Sequence, residues 1–256
     1  MGQTTEIAWT DHTFNPWWGC TRVSEGCRHC YAEGLSKRWG HDVWGPAAAR
    51  RRFGDAHWAE PLKWARDAAR EGVRRRVFCS SMADWLEDRR ELDAERARLG
   101  ALVEATPGLD WQLLTKRPEN LTRLSPWAGR EHREHTAHAW VGTTVEHDAT
   151  RARLDHLCAY PAAVRFVSAE PLVGPLDLRP WLDRLHWVIV GGESGPGRRE
   201  MDLGAAERIV RDCLDASVAV FVKQDSGART GQQGRIPDAW FVRQFPAHRP
   251  SNSAAA

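Results

Sequence analysis

With 256 residues, 42% of them hydrophobic and 27% charged, the chain has the make-up of a water-soluble globular protein and is long enough to bury one full core. A formal net charge of +2 gives the molecule as a whole no pull toward a polyanion, and no apolar run approaches the roughly 20 residues needed to span a bilayer. Met1 to Thr10 lacks the basic start and apolar stretch of a secretory signal, so the expectation is a cytoplasmic monomer with no membrane contact.

In chain order, Ile7-Ala8-Trp9 or the neighbouring Phe14 can supply a first strand. The stretch Trp17 to Tyr31 follows, with Cys20, Cys27 and Cys30 at C-x6-C-x2-C within eleven residues. Three thiols cannot all pair, and a C-x2-C spacing suits two thiolates on one metal centre better than a disulfide. Two readings stand: zinc completed by a fourth ligand such as His29, or an iron–sulfur cluster with one iron lacking a protein ligand. Buried apolar thiols are a third, which the local Gly, Ser and charged residues disfavour. The other cysteines, Cys79, Cys158 and Cys213, are isolated and supply no second pair for zinc.

Ala32 to Arg38 reads as helix, 40–54 as a loop rich in Gly, Pro and Arg, and 55–73 as helix through Trp58, Leu62, Trp64 and Ala68. A pattern then repeats six times, a short apolar run ending in polar residues. The runs begin at Arg76, Leu109, His138, Val164, His186 and Val218, and helices are expected at 93–106, after Pro118, through Arg151 to Leu157, and from an Asp202 cap to about Asp215. Such alternation implies right-handed βαβ units and a parallel sheet. No G-x-G-x-x-G follows the first strand, so a partial or complete (β/α) TIM-like barrel of six to seven parallel strands is expected, rather than a dinucleotide-binding sheet. It forms a single domain over 1–250, with the cysteine loop (17–31) on its rim, a 228–250 extension packing across one end and a disordered tail at 251–256.

Asp84, Lys116, Arg117, Glu146, Glu170, Glu193, Lys223 and Gln224 all fall where a strand ends, with Ser81 and Ser168 beside them. Convergent strands would bring these acids and bases to one mouth, enough to bind a charged small molecule. Singly, each reads as a solvated rim charge. Gly191-Gly192-Glu193-Ser194-Gly195 lets a ligand approach the backbone beside a carboxylate, or is a plain turn. The runs Arg50-Arg51-Arg52 and Arg74-Arg75-Arg76 read first as solvated helix ends. Of fourteen tryptophans, Trp111, Trp140 and Trp187 are expected in core or barrel-end packing, and Trp17 and Trp18 beside the cysteines.

Phe14-Asn15-Pro16, Gly19-Cys20, Gly26-Cys27-Arg28-His29-Cys30-Tyr31-Ala32-Glu33, Ser81-Met82-Ala83-Asp84, Leu114-Thr115-Lys116-Arg117-Pro118, Phe166 to Leu172, Val190 to Pro196 and Val222-Lys223-Gln224 together resemble a phage- and bacterium-associated three-cysteine-motif family related to the radical S-adenosylmethionine (SAM) enzymes. The resemblance implies a [4Fe–4S] cluster on Cys20, Cys27 and Cys30, with SAM bound at the open iron and cleaved to a 5′-deoxyadenosyl radical. An electron donor would reduce the cluster, and the substrate would be a nucleoside, a nucleic-acid base or a small metabolite. Among the SAM contacts it would use are Ser81, Asp84, Lys116, Glu146, Ser168, Glu170, Gly192, Glu193 and Lys223. The first cysteine gap is six residues where three is commonest, His29 stands where an aromatic usually precedes the third cysteine, and Gly191-Gly192-Glu193 comes late in the chain. Either that segment or Ser80 to Asp84 would take the SAM amine. A different class of function, a metal-stabilised nucleic-acid binding module without radical chemistry, would use Arg50 to Arg52 and the tryptophans as its contact surface.

Overall fold

The computed structural model describes residues 5–129 and 136–247; the expected disordered tail, 251–256, lies outside the described residues. In chain order the elements are β1 (His12–Thr13), β2 (Trp17–Trp18), α1 (Tyr31–Arg38), β3 (Arg51–Arg52), α2 (Asp55–Glu71), β4 (Arg75–Cys79), α3 (Asp93–Glu104), β5 (Leu109–Thr115), α4 (Leu121–Leu124), β6 (Ala139–Thr144), α5 (Arg153–Ala159), β7 (Arg165–Ala169), β8 (Trp187–Gly191), α6 (Leu203–Asp215) and β9 (Ala219–Gln224). Seven strands form one parallel sheet in the order β1-β4-β5-β6-β7-β8-β9, curled into a half-barrel, as the repeating runs imply. The first strand falls between the two places expected for it, with His12 opposite Val77 and Thr13 opposite Phe78. β2 and β3 pair separately, antiparallel, and tie the cysteine loop to the segment before α2.

Strand alternation sorts the side chains onto two faces. Val77, Leu113, Val141, Val167, Val190 and Val222 point outward beneath the helices and build the main core. Phe78, Trp140, Phe166, Trp187, Ile189 and Phe221 point into the concave side, where Trp9 joins them. Gly142 is required there, because a β-carbon would press on the Phe166 ring. Helix ends follow local chemistry: Asp202 accepts a hydrogen bond from Ala205 N at 3.0 Å to start α6, and Gly72 at φ 68° closes α2. Between β7 and β8 the crossover holds only a 3-10 turn, Arg179–Arg184, since Pro171, Pro175 and Pro180 punctuate that connection.

Beyond β9, Ile236 and Trp240 enter the main core, and the chain returns along the open edge of the sheet. Val222 N donates to Val242 O at 2.8 Å and Gln244 N to Val220 O at 2.9 Å, which covers an edge that would otherwise offer unpaired backbone groups. No helix among the described residues is long and apolar enough to cross a membrane.

Candidate functional site

Two to six residues beyond the apolar layer, the concave face of each of four strands turns polar. Lys116, Glu146, Glu170 and Lys223 stand in the same alternating phase as Leu114, Trp140, Phe166 and Phe221, and they pair across strands. Lys223 forms an ion pair with Glu170, and Lys116 Nζ lies 3.9 Å from Glu146 Oε1. Glu146 is fully buried yet well served: Arg153 Nη1 sits 2.8 Å from Oε2, and Ser24 Oγ donates to Oε1 at 2.6 Å. Burial alone would raise its carboxyl, but Lys116, Arg153 and the Ser24 hydroxyl outweigh it and hold it below the usual range.

Ser24 belongs to the cysteine loop, so Glu146 is where β6 grips that loop. Gly26 lies against the same carboxylate so closely that a β-carbon would collide with it, which explains a glycine at that place in the motif. A second grip comes from β8. Glu193 Oε2 accepts from His29 Nδ1 at 2.9 Å and from Arg199 N at 2.8 Å, while Arg199 Nη2 donates to Glu193 Oε1 at 2.7 Å and to Glu25 O at 3.3 Å. Burial would raise the Glu193 carboxyl, but the Arg199 and His29 hydrogen bonds bring it down to about 2. A third grip follows β4 and β5. Gly19 N donates to Met82 O at 2.9 Å, Tyr31 Oη to Ser81 O at 3.0 Å and Arg117 Nη2 to Thr21 O at 2.7 Å.

All six cysteines are free thiols. Cys20 Sγ lies 3.6 Å from Arg117 Nη1; burial of the sulfur pushes this thiol up to about 12, Asp84 adds to that and Arg117 opposes it. Cys20 as a residue keeps some contact with solvent, but its sulfur is enclosed by protein. Cys27 Sγ lies 3.8 Å from Ser24 Oγ. Cys30 is the N-cap residue of α1, and the N–H groups of Ala32 and Glu33 face its sulfur. Burial raises the Cys30 thiol, the helix N–H groups and Lys116 work against it, and Cys27 is near enough to raise it further.

Among the described residues no three of His, Cys, Asp and Glu are gathered closely enough to hold one metal ion. Thiolates on one tetrahedral zinc, each about 2.3 Å from it, stand within about 4 Å of one another, and the loop does not present that set. His29, the fourth-ligand candidate, has its Nδ1 engaged by Glu193 and its Nε2 edge beside Gly197. A single zinc ion therefore does not fit these residues as they stand. The donor chemistry, three free thiols on one loop with Arg117 at Cys20 and Lys116 with the α1 N-terminus at Cys30, fits a larger thiolate-bound group.

The remaining expected residues divide by role. Asp84 is saturated from within: Thr115 Oγ1 at 2.6 Å, Lys116 N at 3.0 Å, Leu86 N at 3.1 Å and Arg117 Nη1 at 2.8 Å all reach it, so it sets the Arg117 side chain against Cys20. Ser81 Oγ accepts from Asn15 Nδ2 at 2.9 Å, and Ser168 is buried on the concave face of β7. Over Gly192 the space is filled by the Ser226 backbone, so close packing of the chain itself requires this glycine. The grips of Ser24, Arg153 and Arg199 are absent from the sequence reading; Arg117, at the end of its strand, is the one loop-holding base that position alone flags. Of the run proposed as a nucleic-acid contact, Arg50 is buried and unavailable, with Nη2 2.7 Å from Glu87 Oε1 and further bonds to Val43, Ala48, Thr21 and Gly45. Arg74, Arg75 and Arg76 pair with Asp110, Glu71 and Asp11.

A cavity of about 440 Å³ opens at the opposite, amino end of the sheet, lined by Val164, Leu185, His186, Leu214 and Phe245 among others. Its single titratable lining residue is His186, whereas the rim gathers several acids and bases, and the site is placed at the rim. A parallel half-barrel with a cysteine-bearing loop fastened over the carboxyl ends of its strands defines the class: a (β/α)-barrel-type protein. The chain belongs to the protein family of unknown function DUF5131, whose model matches residues 4–246 and names no activity or cofactor. No curated protein and no solved structure matches it.

Proposed function

We propose that this protein is a radical SAM enzyme, with a [4Fe–4S] cluster on Cys20, Cys27 and Cys30 and SAM in the mouth of the half-barrel. The observation that carries the reading is the fastening of a three-thiol loop over that mouth by Glu146, Glu193 and Arg117 from three separate strand ends. When bound, the cluster and SAM would supply one-electron reductive cleavage of SAM and hydrogen-atom abstraction from a substrate, with an external electron donor.

The protein's own residues have separable tasks. Arg117, held by Asp84, sets a positive charge against Cys20, and the α1 N-terminus with Lys116 does the same for Cys30; both favour the thiolate that a metal needs. Glu170 with Lys223 and Glu146 with Lys116 place charges of both signs on the concave face, a lining that suits a zwitterion such as the amino-acid end of SAM. Ser168 adds a hydroxyl between them in the sheet. Glu193 and Glu146 act on the loop, closing it over the mouth and keeping water from the reacting groups.

Anaerobic reconstitution with iron and sulfide tests the reading directly: about four irons per chain, a brown protein and, on reduction, 5′-deoxyadenosine from SAM are expected. Cys27→Ala abolishes both cluster and product. A fully loaded, reducible cluster that leaves SAM intact would overturn the catalytic half.

A further inference from the structure

The near-neutral charge of the molecule is unevenly placed. Between residues 17 and 54 there are seven Lys and Arg against three Asp and Glu, a local excess of four, while the rest of the chain, 29 basic against 31 acidic, carries −2. Of those seven only Arg50 is buried; Arg22, Arg28, Lys37, Arg38, Arg51 and Arg52 are exposed. Arg22 and Lys37 share one carboxylate, Glu33, at 2.7 Å each, Arg28 lies 3.6 Å from Glu25 and Arg52 3.3 Å from Glu95. Arg51 hydrogen-bonds His41, and Arg38 has no acidic partner among the described residues. The acids of this surface thus leave a positive remainder. Arg22 and Arg28 lie within the cysteine loop, Lys37 and Arg38 at the end of α1, and Arg51 and Arg52 on the strand paired with β2.

Set into that positive surface are the aromatic rings the fold leaves open. Trp39 is 48% exposed although it stacks on the buried Trp18, with ring centroids 5.2 Å apart and planes 23° from parallel. Its stacked side is fixed by the protein and the remainder faces water. Trp18 in turn lies under the Arg51 guanidinium, 4.7 Å from the ring centre, and meets Phe53 edge-on, so the platform beneath Trp39 is rigid. Tyr31 is 57% exposed at the other end of α1, next to Cys30. From Tyr31 to Trp39 the rise is about 12 Å along the helix, with Lys37 and Arg38 near the Trp39 end. A rigid open ring, a second ring beside the mouth and between them two exposed cations, of which Lys37 shares Glu33 with Arg22 and Arg38 has no acidic partner among the described residues, match the two parts of an unpaired nucleotide strand, flat bases and a phosphate backbone. A duplex offers no free base faces to such rings.

We infer that the outer surface of the cysteine loop, α1 and β3 binds single-stranded nucleic acid, with a base stacked on Trp39 and the strand led past Tyr31 to the mouth. This deepens the proposed function, on which it rests for what is done to the strand: the substrate is then a base within a polynucleotide and not a free metabolite. Binding itself does not require the cluster.

Fluorescence anisotropy with labelled oligodeoxythymidylate and oligouridylate, on the full chain and at low salt, tests it; the two oligonucleotides separate DNA from RNA, and tight binding of either supports the inference. Affinity should fall steeply with salt, by a slope of about −0.7 per phosphate contacted. Trp39→Ala should weaken binding about tenfold and Trp39→Phe much less, while Arg38→Glu lowers both affinity and salt slope. Circular dichroism confirms that the variants are folded. Binding should persist within about twofold in Cys27→Ala. Wild-type protein with a fully loaded, reducible cluster that makes no 5′-deoxyadenosine yet binds the oligonucleotide would sink the enzyme reading and leave this one standing. If wild-type protein binds neither oligonucleotide, or if folded Trp39→Ala and Arg38→Glu bind as wild type does, the inference is wrong, whatever the cluster does.

Discussion

The two ends of the concave face carry the same strand phase and opposite chemistry. At the amino end Phe78, Trp140, Phe166, Trp187 and Phe221 fill the floor with rings; two to six residues further on, Lys116, Glu146, Glu170 and Lys223 fill the rim with charge. The floor is held by burial, which is insensitive to the identity of any one polar partner. Directed pairs between distant segments hold the rim, where removing one partner strands the other. Stability should therefore respond most to changes at the floor, and loop position and chemistry to changes at the rim.

Trp187→Ala is the severest test of that division. Trp187 is fully buried and meets Trp9, Trp140, Phe166, Phe221 and Phe245, with its Nε1 donating to Gln244 O at 2.9 Å. Truncation should cost about 3–5 kcal/mol in urea unfolding, while the protein that remains folded loads iron as well as wild type. A loss under about 1 kcal/mol would show that the floor is not the stabilising end.

The sequence displayed this division unevenly. Parallel strands buried on both sides read as near-continuous apolar runs, and each run here ends in the polar residues that do stand together on the rim. Residues in phase, such as Lys116, Glu146, Ser168, Glu170 and Lys223, needed only the period of a strand to be placed. β1 and β2, at two residues each, are too short to show a period. Nothing local distinguishes Arg50 from Arg51 and Arg52, because burial of the first depends on Glu87 and on carbonyls brought in by folding. The same holds for Arg199 and Ser24, whose partners Glu193 and Glu146 lie far away in the chain and are chosen by where the loop comes to rest. The seating of that loop turns His29 onto Glu193, a pairing that the cysteine spacing alone does not show.

Gly26→Ala sharpens the comparison from the rim side. The added methyl group meets the Glu146 carboxylate, whose position is fixed by Arg153 and Ser24, so the loop must lift. The expected cost is about 1–3 kcal/mol, smaller than that of Trp187→Ala, yet limited proteolysis should cut between residues 17 and 31 many times faster. Unchanged proteolysis would mean that Glu146 does not fasten the loop.

Glu193→Gln removes one charge, and its pH dependence carries the argument. The change keeps the shape and removes the charge that draws Arg199 and His29, for a loss of at most about 3 kcal/mol near neutral pH, the free energy that the carboxyl's shift from 4.5 to about 2 corresponds to. In the folded protein the wild-type carboxyl is held at about 2, against an ordinary value of 4.5, so its contribution is complete above 4.5 and drains away as pH falls through 2. The stability gap between wild type and Glu193→Gln should therefore stay level from pH 7 to about 5 and close as pH falls from about 4.5 toward 2. Carboxyl-carbon NMR titration of Glu193 gives an independent reading of the same midpoint. A gap that has already closed at pH 6, or a Glu193 midpoint near the ordinary value, would mean that β8 does not hold the cysteine loop through this carboxylate, and the loop would then depend on Glu146 and Arg117 alone.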